Sequence, residues 1–453
     1  MSKKIIIIGS GPGGYYAAVM AAKKGLDVTV IEKGDIGGVC TNRGCIPSKA
    51  LLSIAEKIDE IKGAKRDGIT ADIKDVDFSR VMGKKERAIK MSRKGIEQLL
   101  KENDVEVIED VASLVDSKTV KLSNGEIIEG DHVIVATGSK PISLPNIQID
   151  EENILSSNGA LNLEEVPDSL LIIGGGYIGL EMAFIYSSLG SKVTIVELLS
   201  SLIPNMDTDL QDVAEQMMKR KRVKVYTKSK VTELEQDGTI TAKIEGETEK
   251  EIEVDKVLLS VGRRPTPPET DLDIIGDNNQ IVTDDNMKTK FDNLYSIGDV
   301  TGKSMLAHSA FKHAEIVVND ILGNEPEGFS KYDVPAGIYT HPELASVGMT
   351  EEEAKDNYDD VKIGDFPISA TGRGSSTGQR MGLAKVITKN DGELIGVHLA
   401  CPGATDIIME AAVGMHNKLT ADELADIIHP HPTYSEAIKD AAENSFGESI
   451  HSH

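Results

Sequence analysis

One unit of sequence occurs twice in the first 200 residues, and it limits what this chain can become. The apolar run "KIIIIG" leads into Gly9-Ser10-Gly11-Pro12-Gly13-Gly14, then the helical "YYAAVMAAKKG", then a second apolar run, "LDVTVIEK". From Ser169, "SLLIIGGGYIGLEMAFIYSSLGSKVTIVELL" repeats that order. Short β-branched runs of this kind suit parallel strands buried on both faces. Gly9, Gly11 and Gly14, and again Gly174, Gly176 and Gly179, fit G-x-G-x-x-G, while Glu32 and Glu197 each stand 18 residues beyond the third glycine. The first glycine permits a tight turn, the second lets backbone approach a pyrophosphate, and the third packs helix on strand. The helix N-terminus favours the anion, and the acid takes the ribose hydroxyls. A single such motif is weak, because a plain glycine turn can produce it. Two complete units with the same spacing predict two dinucleotide sites. Glu197 repels a 2′-phosphate and no arginine stands near it in sequence, so the second site is expected to prefer NAD over NADP.

A length of 453 residues suggests two to four domains, and 40% hydrophobic with 27% charged residues is the balance of a globular protein. Three cysteines exclude a disulfide scaffold and fit a reducing compartment. The opening Met-Ser-Lys-Lys enters a strand with no signal peptide in view, so a cytoplasmic location is expected. The longest apolar stretch, 170–190, is broken by Gly174, Gly175, Gly176 and Glu181, which argues against a membrane span. The net charge of −25 argues against nucleic acid as a partner. It reads first as solubility, and more sharply as an acidic face for a basic partner.

Between the two units, residues 55–105 carry Lys, Glu and Ile at helical spacing, and residues 103–135 alternate as a small β-meander closing on a strand. The same alternation follows the second unit over 222–260. From about 331 the composition shifts to a mixed β/α segment, a plausible separate domain.

"GGVCTNRGCIPSKALL", residues 37–52, holds two of the three cysteines. In a regular helix, positions five apart face different ways, so a Cys40–Cys45 bridge needs a turn or a distorted helix. Gly37, Gly38 and Gly44 allow one. Pro47 suits a first helical turn, which puts Cys45 near a helix N-terminus where the dipole stabilises a thiolate. Lys49 adds positive charge one turn on. A loop this short makes a poor staple, and no further His or Cys lies close enough to complete a metal site, so no metal is expected. Two unlinked buried thiols stay open as an alternative. The position eight residues after Glu32, at most about 26 Å of chain, favours a redox-active pair.

With these motifs in place, the chain resembles the flavin disulfide reductase family, in its dihydrolipoamide-oxidising branch, over essentially its whole length. The stretch just quoted resembles the family's redox-disulfide signature. "ATGSKP" (136–141) and "LYSIGDVTGKSMLAH" (294–308) resemble its flavin-contact motifs, and "YTHPELASVG" (339–348) and "HPHPTYSEA" (429–437) its interface-domain signatures. The resemblance implies an α/β fold: two Rossmann-like dinucleotide-binding domains of three-layer ββα architecture and a C-terminal α+β dimerisation domain. It implies an FAD-binding domain over 1–142, an NAD-binding domain over 143–264, a central segment 265–333 completing the first, and an interface domain over 334–453.

It further implies contacts to FAD from Gly9, Gly11, Gly14, Glu32, Lys33, Gly38, Lys49, Ala112, Thr137, Gly138, Ser139, Asp299 and Ala307. Contacts to NAD are implied for Gly174, Gly175, Gly176, Ile178, Gly179, Glu197, Val231 and Gly262. By the same resemblance, Cys40 and Cys45 would form the working disulfide, His431 would be the base, Glu436 would orient it, and Lys49 would pair with Glu181 beneath the flavin. A base near neutral pKa suits proton exchange with a thiol. Taken alone, His431 reads as a turn residue between prolines, as His308 and His429 read as structural. Two positions depart from the usual pattern, Asp406 for Glu and Ser296 for Ala. The implied partners are dihydrolipoamide on another protein's lipoyl domain, a second copy of the chain, and the core (E2) of a 2-oxo acid dehydrogenase complex or a glycine-cleavage H protein. A glutathione-type reductase would want arginines near Glu197, a mercuric reductase a C-terminal cysteine pair where only Cys401 remains, and a dinucleotide-binding scaffold would not need the cysteines, His431 and Glu436.

Overall fold

The computed structural model describes residues 2–325 and 327–451. Each repeated unit builds the centre of a five-stranded parallel sheet. In the first the strands lie in the order Leu294–Ser296, His132–Val135, Lys4–Ile8, Asp27–Glu32, Glu106–Glu109. In the second the order is Lys224–Tyr226, Lys192–Val196, Ser169–Ile173, Lys256–Leu259, Ile154–Leu155.

The near-continuous apolar runs are explained by what covers the two faces of each sheet. Successive strand residues point to opposite sides. Ile5 and Ile7 therefore pack with Ala17, Ala18 and Ala21 of the glycine-loop helix (Pro12–Lys23), while Ile6 and Ile8 pack with Val120, Leu122 and Ile128 of a three-stranded antiparallel sheet. The second unit repeats this division. Leu170 and Ile172 face the helix Tyr177–Leu189, and Leu171 and Ile173 face Ile240, Ala242 and Ile244 of another three-stranded antiparallel sheet. Both are the expected three-layer arrangement.

The residues expected to form one meander divide between two sheets. Ala112–Leu114, Thr119–Leu122 and Ile127–Glu129 make the antiparallel layer, but Glu106–Glu109 joins the parallel sheet beside Asp27–Glu32. The 25-residue helix Phe78–Glu102 precedes it. A crossover of that length returns the chain parallel to where it started, which overrides the local alternation.

Beyond residue 334 a five-stranded antiparallel sheet, with outer strands Ala336–Ile338 and Val361–Pro367, packs under the helices Ala404–His416 and Glu436–Ser445. A buried ion cluster joins this sheet to the second dinucleotide unit. Lys385 Nζ lies 2.8 Å from Asp207 Oδ1, 2.5 Å from Asp209 and 2.7 Å from Glu351, with Lys385 5% and Asp207 1% exposed. Burial works against the Asp207 carboxylate, but His398, the Lys385 ammonium and the Glu351 N–H hold its pKa below the ordinary value. Replacing Lys385 by Met leaves that carboxylate buried without its cation. The expected loss is roughly 3–5 kcal/mol, read as a lower urea midpoint for unfolding. Among the described residues no helix is long and apolar enough to cross a membrane.

Candidate active site

The two glycine turns are built alike. Gly9 N donates to Ile31 O at 2.8 Å and Gly174 N to Val196 O at 2.9 Å, with φ of +102° and +104°. At both positions a Cβ would run into the carbonyl of the neighbouring strand end, Ala136 O or Ser260 O. The third glycine is fixed by contact with the first, since a Cβ on Gly14 or Gly179 would strike the carbonyl of Gly9 or Gly174. Gly11 and Gly176 differ: each caps the helix that follows, no side chain caps the N–H groups there, and the space a Cβ would fill is open. Such an uncapped N-terminus in a cleft is a cradle for a phosphate.

The acids are held in equivalent ways. Glu32 accepts from Ser10 N at 2.8 Å and Gly34 N at 2.9 Å; Glu197 accepts from Gly175 N at 2.6 Å and Leu199 N at 2.8 Å. An ionised carboxylate fixed by two backbone donors offers only acceptor sites, which suits a ribose diol and not a second phosphate.

One cleft of about 2240 Å³ joins the two units and the cysteine loop. Of the residues expected at FAD it is lined by Gly9, Gly11, Glu32, Lys33, Gly38, Lys49, Ala112, Thr137, Gly138, Ser139, Asp299 and Ala307. Of those expected at NAD it is lined by Gly174, Gly176, Ile178, Glu197, Val231 and Gly262. Gly14, Gly175 and Gly179, also expected at the two dinucleotides, are not among the lining residues. The lining fits a dinucleotide on two counts beyond the cradles. Thr137 Oγ1 is buried without a hydrogen-bond partner among the described residues, and it belongs to the cleft. Asp299 accepts from Ser139 Oγ, and Arg263, 3.8 Å from Asp299, donates to Ser139 Oγ and Ser139 O at 2.8 Å each.

Cys40 and Cys45 are bonded, with Cα atoms 4.6 Å apart, and both line the cleft. The distortion such a bond requires is a break in the helix at Gly44, between the helices Gly38–Arg43 and Cys45–Gly63. Cys45 is thus the first residue of a 19-residue helix. Gly38 lets the loop lie on the first glycine turn, where a Cβ would come within 2.7 Å of Gly11 Cα. Asn42, between the cysteines, was not singled out by sequence. Its amide donates to Ile36 O at 3.0 Å and Gly38 O at 2.9 Å, and its carbonyl accepts from Arg93 Nε at 2.9 Å. A buried amide inside a glycine loop is a signal that it shapes the turn, but nothing local points to Arg93.

Lys49, one turn after Cys45, lies 3.0 Å from both carboxylate oxygens of Glu181. His431 and Glu436 are brought together elsewhere. His431 Nδ1 lies 2.7 Å from Glu436 Oε1, with the imidazole 73% exposed and outside the cleft. Burial works against the Glu436 carboxylate, yet the Thr433 N–H and His431 keep its pKa below the ordinary value. His429 is bound to Glu410 at 2.5 Å, and His308 to Pro335 O at 2.6 Å. Cys401 is buried, which pushes its thiol pKa up.

The comparisons agree with this geometry. Residues 3–314 match the family model described as pyridine nucleotide-disulphide oxidoreductase, and residues 334–442 match the dimerisation domain of the same family. The chain is 40% identical to the dihydrolipoyl dehydrogenase of Geobacillus stearothermophilus, covering 98% of this chain and 97% of that one. It is 38% identical to the mitochondrial dihydrolipoyl dehydrogenase of Pisum sativum, covering 99% and 92%. Among solved structures, LpdA from Mycobacterium tuberculosis superposes with a TM-score of 0.90 at 26% identity, covering 97% of this chain and 99% of that one. With two dinucleotide units, a disulfide between them and full-length relatives, this chain belongs to the pyridine nucleotide-disulphide oxidoreductase family.

Proposed function

We propose that the chain is an FAD-dependent dihydrolipoyl dehydrogenase that passes electrons from protein-bound dihydrolipoamide to NAD⁺. The observation that carries this reading is a Cys40–Cys45 disulfide in a cleft that both glycine-loop units line. The first unit is read as the FAD site and the second as the NAD site. When bound, the flavin supplies two-electron transfer between a dithiol and a nicotinamide.

The chain's own part is thiol–disulfide exchange. His431 Nε2 takes a proton from one substrate thiol, and the thiolate attacks Cys40 Sγ. The S–S bond breaks and its electron pair leaves on Cys45. Cys45 suits that role as the first residue of a helix with Lys49 one turn on, since dipole and cation both stabilise a thiolate. The second substrate thiol then displaces Cys40, which takes up a proton as cyclic lipoamide leaves. The balance is one dithiol oxidised to a disulfide and one disulfide reduced to a dithiol. With NAD⁺ as final acceptor, the products are lipoamide, NADH and one proton.

The base would come from a second copy of the chain, a reading supported by His431 lying outside the cleft of its own chain. Met409 and Val413 stand exposed one turn apart on the helix Ala404–His416. The Glu410–His429 contact holds against that helix a segment in which Ile428 is 95% exposed. Together they form an apolar surface that association would bury. The finer partners, a 2-oxo acid dehydrogenase core or a glycine-cleavage H protein, follow from this activity, and the small number of cysteines supports a cytoplasmic setting.

The test is to purify the protein, confirm that it is yellow, and follow NAD⁺ and NADP⁺ reduction by dihydrolipoamide and by glutathione. Turnover is expected with dihydrolipoamide and NAD⁺. The Glu197 carboxylate should leave NADP⁺ at least about tenfold poorer. Activity confined to NADP⁺, or to glutathione, would reject the assignment.

A further inference from the structure

The Lys49–Glu181 pair is held from a third direction that neither dinucleotide unit supplies. Tyr339, just after the strand Ala336–Ile338 in the dimerisation-domain part, touches both members. Its ring centroid lies 4.5 Å from Lys49 Nζ, and its backbone N–H donates to Glu181 Oε1 at 3.2 Å. Burial raises the Tyr339 pKa, and Glu343, Glu181 and Asp406 raise it further, so the ring is kept as a neutral phenol. A neutral ring offers the ammonium its π face and adds no charge of its own.

The need for such a hold follows from the lysine. Glu181 is buried at 8% exposure, but Lys49 is 35% exposed on a flexible four-carbon stem. Two contacts to one carboxylate leave the ammonium free to swing about it, and the ring removes that freedom. The loop carrying Tyr339 is itself fixed. Ile338 and Leu344, on either side, are fully buried in the cluster that holds Leu51, Leu52 and Leu180. His341 Nδ1 stands 3.2 Å from Glu56 Oε1. Glu56 is seven residues beyond Lys49, on the same face of the disulfide helix, so the loop grips that helix at two levels.

We propose that Tyr339 is a positioning residue: its ring fixes the Lys49 ammonium, and through Lys49 it tunes the equilibrium between oxidised and two-electron-reduced enzyme. This rests on the reading of the cleft as a flavin site. The experiment uses purified flavin-loaded protein equilibrated with NADH and NAD⁺ mixtures. Tyr339→Leu is expected to shift the redox equilibrium constant by roughly two- to tenfold and to alter the long-wavelength absorbance of the reduced form. Tyr339→Phe keeps the ring and should stay within about twofold of the parent. Tyr339→Met, closer in volume and without a ring, should repeat the Leu result and serves if the Leu variant does not fold. Unchanged equilibria in the ringless variants, with flavin bound, would overturn the inference. So would a Phe variant displaced as far as Leu. A parent protein that binds no flavin would instead reject the site reading beneath it.

Discussion

Replacing Cys45 with serine is expected to lower dihydrolipoamide-dependent NAD⁺ reduction by roughly a thousandfold or more, while the protein still purifies yellow. The size follows from what is lost. Cys45 is half of the only disulfide among the described residues, and no nearby thiol can replace it, because Cys401 is buried in the core of the C-terminal sheet. Serine preserves the shape of the first turn, and the Asn42 contacts that hold the loop involve neither cysteine side chain. The flavin cradle should therefore survive.

Cys40→Ser is expected to be as inactive, but for a different reason, and the two variants separate the roles. Without Cys40 the enzyme lacks the sulfur that the substrate attacks, yet Cys45 remains as a free thiol at the start of its helix with Lys49 one turn on. It should ionise readily and give the resting enzyme a long-wavelength absorbance from a thiolate beside the flavin. Cys45→Ser should show no such band. A band in Cys45→Ser and none in Cys40→Ser would reverse the assignment. Full turnover by either variant would remove the disulfide from the mechanism.

The parts legible in the sequence are those written in short-range spacing. Gly9 to Glu32 and Gly174 to Glu197 specify turn, helix start and acid within one strand–helix–strand unit, and the structure builds both in the same way. Cys40 and Cys45 were visible as a pair needing a distortion, which Gly44 provides. The contacts that tension the site were not visible. Arg93 reaches Asn42 across 51 residues and Arg263 reaches Ser139 across 124, while the Tyr339 N–H meets Glu181 across 158. Each joins side chains or backbone that meet only once separate layers have packed, and no periodicity records that. Glu106–Glu109 shows the same limit, since its alternation is that of an antiparallel strand and its partner is chosen by the helix before it.

Replacing His431 with glutamine is expected to lower kcat/KM for dihydrolipoamide by about 10²–10⁴-fold, with NADH oxidation by an artificial electron acceptor left intact. With Nδ1–H donated to Glu436, the ring is fixed in the tautomer whose Nε2 is free to accept a proton. Glutamine can keep a hydrogen bond to Glu436 but has no basic nitrogen. The acceptor assay needs neither the disulfide nor the base, so its loss would point to damage elsewhere. Because His431 lies outside its own chain's cleft, a mixed dimer gives the sharper measurement. Pair a Cys45→Ser subunit with a His431→Gln subunit. If the base crosses between subunits, the cysteines of the second meet the histidine of the first, and one of the two sites works again. If base and disulfide belong to the same chain, neither site is complete and the hybrid stays as inactive as its parents. Recovery to about half the unsubstituted enzyme's turnover per hybrid dimer is expected. No recovery would place the base in the same chain as its disulfide, and a fully active His431→Gln variant would return His431 to the turn between prolines that its sequence first suggests.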